Sequence, residues 1–224
     1  MNYSVTFISF GEIQKTFAAG PAATSWVLNA FAITVIALLI PSGWVSDRFG
    51  RRRMFLTGVA LLAVGSLLVA TAPTLPILIA ARVVQAAGLA LEGPAALDAF
   101  SSERRSTAVG AYGGLGGISL VMGPVVGGLV IDVVGWRWTF AMNIPIAMLT
   151  VVLGLMFLPP DRPAVDGRPG RPDLGGAILM VVGTAMLATG IVQAGEWGWT
   201  NPLTVVALVM APTSLAMVVR RSAS

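Results

Sequence analysis

The chain has 224 residues, of which 56% are hydrophobic and 11% are charged, and its mean hydropathy is +0.84. A soluble fold of this size could not bury that much apolar surface, so the composition excludes an ordinary soluble domain and indicates a membrane protein. The formal net charge of +4 does not indicate a nucleic-acid partner, because the arginines lie at the ends of apolar segments and form no basic helix. Cysteine and histidine are absent, which excludes disulfides and the usual zinc, haem and Cys/His catalytic sites.

The first apolar segment, residues 1–17, is shorter than a full membrane crossing. It also lacks the basic region and the cleavage site of a signal peptide. We expect it to be either a divergent first span or a span whose beginning lies upstream of Met1. The following residues, 15–25, are predicted to form a loop on the outer side.

The rest of the chain contains apolar runs of about twenty residues, which is the length that crosses a bilayer. These runs predict spans near residues 26–46, 54–72, 75–97, 106–130, 138–158, 173–194 and 202–219. The result is an all-α membrane protein with about seven to eight spans. Its predicted parts are an N-terminal six-span bundle over 1–158, a cytoplasmic linker over 159–172 that is rich in proline and glycine, and two additional transmembrane helices over 173–224.

The basic residues predict the orientation of these spans. Of the 14 lysines and arginines, only Lys15 and Arg137 fall in predicted outer segments, and Arg82 falls inside a span. All the others fall on the opposite side, which is the cytoplasmic side because basic loops are retained there. We therefore predict a multi-pass protein of the plasma membrane in which loops 47–53, 98–105 and 159–172 are cytoplasmic.

One segment, 43–53, reads GWVSDRFGRRR and joins two apolar runs. Gly43 would allow a close approach of two helices, Asp47 can accept hydrogen bonds from arginine or from helix N–H groups, and Gly50 permits a tight turn. A plain membrane anchor is one interpretation of the four arginines. The order of the residues supports a second interpretation, which depends on a family resemblance.

This segment resembles the signature loop between the second and third spans of the major facilitator superfamily, G-x-L-a-D-r-x-G-r-k/r. The replacements Val45 and Ser46 are mild. In that family the loop is a latch that bonds to neighbouring cytoplasmic helix ends in one state and releases them in the other. The resemblance implies a cytoplasmic gating loop formed by Gly43, Asp47, Arg48, Gly50, Arg51 and Arg52. The first segment loosely resembles the first span of the family, with Asn2 where relatives carry an aspartate implicated in proton coupling.

A charged residue, Arg82, lies inside a predicted span. Its insertion costs roughly 2.5–3.5 kcal/mol, so it should face the bundle interior or water. Gln85 and Glu92 share its helix sector, and these three residues predict a translocation route with Glu92 as a titratable group. An Arg–Glu pair, or an arginine bonded to backbone carbonyls, is the alternative. The run 82–88 also resembles the family motif R-x-x-Q-G-x-G, in which the arginine is tied to proton transfer.

The next span is rich in glycine, and the pairs Gly110/Gly114, Gly113/Gly117 and Gly123/Gly127 predict faces for close helix packing. The spacing also resembles the antiporter motif g-x8-G-x3-G-P-x2-G-G of the fifth span, which is typical of exporters. The residues at the motif positions are Gly110, Ser119, Gly123, Pro124, Gly127 and Gly128.

The run 136–145 resembles the W-R-W-x-F-x-x-N-x-P segment of the fourteen-span drug/proton antiporter branch. Physically it is an aromatic belt at the outer interface, and anchoring alone is an equally open interpretation. The residues of this outer-interface segment are Trp136, Arg137, Trp138, Asn143 and Pro145.

Together these resemblances, which cover residues 26–195, imply a proton-coupled secondary transporter that exports drugs or other amphiphilic small molecules by alternating access. The coupling ion would be the proton, with no metal or other cofactor. Alternating access needs two bundles, so we expect the chain to be part of a longer protein, with membrane lipid and a C-terminal half or a second copy as partners. The alternative is a non-transporting membrane scaffold or an inactive remnant. The sequence contains no nucleophile paired with a base, and an enzyme is not predicted.

Overall fold

The structure, a computed structural model, describes residues 2–98, 102–158, 160–161 and 174–222. Nearly all of these residues are helical, and none of them forms a strand. The helices are α1 (Asn2–Ile8), α2 (Phe10–Phe17), α3 (Pro21–Phe49), α4 (Arg51–Thr71), α5 (Leu75–Asp98), α6 (Ser102–Val134), α7 (Trp136–Ala141), α8 (Asn143–Phe157), α9 (Leu174–Trp197) and α10 (Pro202–Ser222).

Six helical stretches within the described residues are long and apolar enough to cross a membrane. They are Pro21–Phe49, Arg51–Thr71, Leu75–Gly93, Gly116–Val134, Trp136–Phe157 and Gly175–Trp197. A shorter apolar helix, Pro202–Val218, follows them. The prediction of an all-α bundle of membrane helices is therefore confirmed. The predicted linker, 159–172, lies almost entirely outside the described residues.

The outer loop predicted over 15–25 is wrong in its extent. Helix α2 continues to Phe17 and α3 already begins at Pro21, so only residues 18–20 connect them. The reason is that Pro21 occupies the first turn of α3, where the missing N–H group would have no helical partner and the fixed φ favours the helix. A proline inside the predicted loop therefore starts the helix.

The signature segment is a junction between two helices, with almost no loop. Helix α3 ends at Phe49, α4 begins at Arg51, and Gly50 alone connects them with φ 99° and ψ 134°. This left-handed φ favours glycine, as the sequence predicted. No close helix approach is seen at Gly43 within the described part of the chain, where no atom lies within 4 Å of its Cβ position.

The closest helix contact along the described chain joins α4 and α5. A Cβ on Gly65 would lie 2.5 Å from the backbone nitrogen of Gln85, and one on Gly58 would lie 2.7 Å from that of Glu92. Gly88 faces the backbone of α4 in the same way. Small residues let two backbones approach within a membrane, so these three glycines bring α4 against the helix that carries Arg82.

The glycine-rich helix α6 packs only in part as predicted: Gly123 and Gly127 are buried, whereas the other two predicted glycine pairs are exposed. No described atom lies within 4 Å of the Cβ positions of its glycines at 110, 113, 114, 116, 117 and 128. A Cβ on Gly127 would lie 3.1 Å from the side chain of Val5. Helix α6 packs mainly on α1 and α7 and leaves a broad apolar face exposed, on which Val121 and Val133 are 70% and 80% exposed. The packing expected on the Gly110/Gly114 face is therefore absent among the described residues.

Candidate functional site

The candidate site is built around Arg82 on α5, whose side chain is fully buried at 0% exposure. Its Nε–H donates to the backbone carbonyl of Val27 on α3, with 3.1 Å between the two atoms. Its guanidinium also donates to the Oε1 atom of Gln85, one helical turn further along α5. A buried cation needs such acceptors, and here they come from two helices.

Two aromatic rings also lie close to this guanidinium. The Cζ atom of Arg82 lies 4.0 Å from the ring centroid of Phe31 on α3 and 5.5 Å from that of Phe140 on α7. Both rings are almost fully buried, at 4% and 0% exposure. A cation within about 6 Å of an aromatic face is stabilised by the ring quadrupole. Phe140 therefore connects the outer-interface segment to the buried arginine.

A hydrogen-bond chain continues from Arg82 to α4. Gln85 accepts from the arginine through its oxygen and donates through Nε2 to Ser66 Oγ at 2.7 Å. Ser66 Oγ donates in turn to the carbonyl of Leu62 at 2.7 Å. Both ends of the Gln85 amide are thus engaged, which fixes its orientation and links α3, α5 and α4 in one polar network.

Ser66 was not predicted from the sequence. The available signal was weak, since a single hydroxyl in an apolar span usually bonds its own helix, as Ser66 also does. What brings this hydroxyl to Gln85 is the neighbouring residue Gly65, whose missing Cβ lets the two backbones touch.

The structure separates the third predicted residue, Glu92, from this network. Glu92 lies ten residues after Arg82 on the same helix, about 15 Å along its axis, and is partly buried beside Gly58. An ion pair between Arg82 and Glu92 is therefore excluded, whereas the alternative of an arginine bonded to a backbone carbonyl is observed. Arg82 and Gln85 are brought together and Glu92 is not.

The outer-interface segment links several helices at one end of the bundle. Trp136 is buried, and its indole N–H donates to Thr16 Oγ1 of α2 at 3.0 Å. Arg137 lies over the Trp136 ring, 4.5 Å from its centroid, and donates to the carbonyl of Ala72 after α4. Trp138 is 58% exposed. The segment thus holds the ends of α2 and α4 together in addition to any role as a membrane anchor.

At the opposite end, the helix junction contains the predicted gating residues. Asp47 and Arg51 form an ion pair at 3.1 Å across Gly50, and both are well exposed, so its contribution to stability is small. Arg48 lies near aromatic rings of its own helix, 5.8 Å from the Trp44 centroid.

A residue that was not predicted, Asp161, binds the same junction. Its carboxylate accepts hydrogen bonds from the backbone N–H groups of Arg52 and Arg53 at 2.8 and 3.2 Å. A negative charge at a helix N-terminus is favourable, so Asp161 caps α4. The guanidinium of Arg52 also donates to the carbonyl of Leu155 at 2.6 Å. Both contacts attach the start of α4 to the end of α8 and the beginning of the linker.

The chain is similar to known transport proteins. It is 34% identical to the puromycin resistance protein pur8 of Streptomyces alboniger over 97% of its own length and 44% of that protein. It is 29% identical to the multidrug resistance protein Stp of Mycobacterium tuberculosis (strain CDC 1551 / Oshkosh), over 97% of the chain and 41% of that protein. It is 30% identical to the tetracenomycin C resistance and export protein of Streptomyces glaucescens, over 96% and 40%. The chain thus spans about two fifths of the length of these relatives.

Among solved structures, an auto-inhibited peptide transporter of the POT family has the same fold, with a TM-score of 0.60 over 96% of this chain and 48% of that protein. At 19% identity this likeness concerns the fold alone. The apolar helices indicate a multi-pass protein of the cell membrane. Residues 1–221 match the family described as Major Facilitator Superfamily. The chain belongs to the major facilitator superfamily.

Proposed function

We propose that the chain provides one bundle of a proton-coupled exporter of drugs or other amphiphilic small molecules that works by alternating access. The observation that carries this proposal is the fully buried Arg82 and its network through Gln85 to Ser66, since an ionisable residue inside a membrane bundle marks a translocation or coupling route. The names of the relatives, which describe resistance and export, support the class of substrate.

In this mechanism Arg82 supplies a fixed positive charge. A guanidinium keeps its proton at physiological pH, so Arg82 does not carry the transported proton itself. It would act on the protonation and orientation of groups along the route, with Gln85 as its positioned neighbour. Glu92, a titratable side chain on the same helix and nearer the predicted cytoplasmic end, is our candidate for the proton carrier.

The gating step would take place at the helix junction. In the structure, Asp161 and Leu155 attach the start of α4 to the end of α8. Release of these contacts would free the junction in the opposite state, which is the latch behaviour that the signature segment predicts. The second bundle that alternating access requires would come from the remainder of a longer chain or from a second copy.

The experiment uses the full gene product that contains this chain, reconstituted in proteoliposomes with a cationic amphiphilic dye. We expect dye accumulation to follow an imposed pH gradient and to fall to background in Arg82→Gln. The matched control is Arg220→Gln, which removes an exposed arginine at the end of α10 and should leave accumulation unchanged. If the protein assembles normally but produces no pH-driven flux, and if Arg82→Gln changes nothing, the scaffold function is favoured instead.

A further inference from the structure

The helices after the linker, α9 and α10, form an antiparallel hairpin that packs on α3. Gly190 lies against Leu208 and Gly183 against Leu215, so glycine brings the two helices of the hairpin together. Helix α3 packs against α5, which carries Arg82, and also against α9. Helix α3 therefore connects the hairpin to the helix that carries Arg82.

The contact between α9 and α3 contains polar groups inside an apolar interface. Asn29 Nδ2 donates to Gln193 Oε1 at 2.6 Å. Thr184 Oγ1 bonds the carbonyl of Met180 in its own helix at 2.7 Å and also lies 3.1 Å from the carbonyl of Ala37 on α3. At the end of the hairpin, the Trp197 ring lies 6.3 Å from that of Trp26. Polar bonds between membrane helices fix their relative position, because the alternative is an unsatisfied group in hydrocarbon.

Burying the Gln193 side chain carries a free-energy cost that an apolar side chain would not have. Its side chain is fully buried, and among the described residues its Nε2 group has no hydrogen-bond partner. A half-satisfied buried amide costs more than an apolar side chain of the same size. We therefore infer that the hydrogen bond from Asn29 to Gln193 does more than fill volume between the helices.

The turn of α3 that donates this bond is also the turn that holds Arg82. Val27 provides the carbonyl for the arginine Nε–H, and Phe31 provides the nearer aromatic ring. Asn29 lies between them in the chain. A hydrogen bond requires about 2.7–3.2 Å between its heavy atoms, so a shift of α3 away from α5 by about 0.5 Å would break the contact from Arg82 to Val27.

We propose that the α9–α10 hairpin positions Arg82, with Gln193 acting through Asn29 on the turn of α3 that holds the guanidinium. Gln193 and Asn29 are positioning residues, and neither touches the arginine. The functional meaning of this positioning rests on the proposed coupling role of Arg82, but the positioning itself does not.

The test is hydrogen exchange of the Arg82 Nε–H group, measured by NMR on the purified 224-residue chain with ¹⁵N-labelled arginine in lipid nanodiscs. The resonance is assigned by its disappearance in Arg82→Lys. We expect Gln193→Met, which keeps the side-chain volume and removes the bond, to accelerate this exchange by about tenfold, the factor that corresponds to the loss of one buried hydrogen bond. Ile191→Met on the same helix, at a position 54% exposed, should leave it unchanged.

Asn29→Leu removes the donor of the same hydrogen bond. If Gln193→Met does not fold, this variant tests whether the bond positions Arg82. In the double variant the acceleration should not exceed that of either single variant, because both changes remove the same bond. Unchanged Arg82 exchange in both single variants would overturn the proposal. This measurement needs no transport. Faster exchange together with normal pH-driven export in Arg82→Gln would keep the positioning and reject the coupling role.

Discussion

At the scale of single residues, Arg82 depends on contacts of unequal strength. The ring of Phe31 lies 4.0 Å from the guanidinium carbon and that of Phe140 lies 5.5 Å away. The attraction between a cation and a ring falls with distance, and in desolvated surroundings it reaches about 2 kcal/mol. The two rings should therefore contribute unequally to the stabilisation of the guanidinium.

We expect Phe31→Leu to lower the free energy of unfolding by about 1–2 kcal/mol, through the lost cation–π contact and the smaller side chain. The measurement is an unfolding titration in mixed micelles, in which the fraction of denaturing detergent is increased and the loss of helix is monitored by circular dichroism. Phe157→Leu, at a position 74% exposed, is the control, and its effect should stay within about 0.5 kcal/mol. Equal losses in Phe31→Leu and Phe157→Leu would show that the ring at position 31 does not support Arg82.

At the scale of helices, the glycines of α4 and α5 have a different role from those of α6. At Gly65 the neighbouring atoms belong to the backbone and Cβ of Gln85, whereas at Gly116 no described atom lies within 4 Å. A methyl group at Gly65 must push two helices apart, because backbone atoms cannot move aside as a flexible side chain does. At Gly116 a methyl group meets no described neighbour.

We therefore expect Gly65→Ala to destabilise the chain by about 1–3 kcal/mol. Gly116→Ala should be neutral or stabilising by up to about 1 kcal/mol, since alanine is the better helix former. The measurement is the same unfolding titration, applied to both variants of this chain. In the full gene product, a large loss in Gly116→Ala alone would mean that another segment packs on α6. A neutral Gly65→Ala would contradict the close approach of α4 and α5.

The same helices show which parts of the site the sequence could predict. Arg82 and Gln85 are three residues apart on one helix, so their contact follows from helical geometry alone. Val27, Phe31 and Ser66 come from other helices, and nothing in the sequence aligns those helices with α5. Membrane helices are apolar on nearly every side, so periodicity does not reveal which face meets which neighbour. For that reason the sequence also predicted close packing at Gly110 and Gly114 of α6 and missed it at Gly65.

At the scale of the whole molecule, several helix ends meet on one side. Asp161, just beyond α8, binds the start of α4, and Arg221 near the end of α10 lies against Gly175 at the start of α9. The hairpin turns at the other side, where Gly198 has φ 90°. These contacts gather the exposed arginines of the α3–α4 junction and of α10 at the predicted cytoplasmic side.

The natural chain has no cysteine, so single substitutions can test this topology without background labelling. We expect Lys15→Cys and Thr200→Cys to react with a membrane-impermeant maleimide in intact cells. Arg51→Cys and Arg220→Cys should react only after the cells are permeabilised. The reason is that clustered arginines are retained on the cytoplasmic side, each costing roughly 2.5–3.5 kcal/mol at the centre of the bilayer. Labelling of Arg51→Cys in intact cells would show that the orientation is the reverse of the predicted one. The predicted direction of export would then be reversed as well. Labelling at both Thr200→Cys and Arg220→Cys in intact cells would mean that the hairpin does not span the membrane.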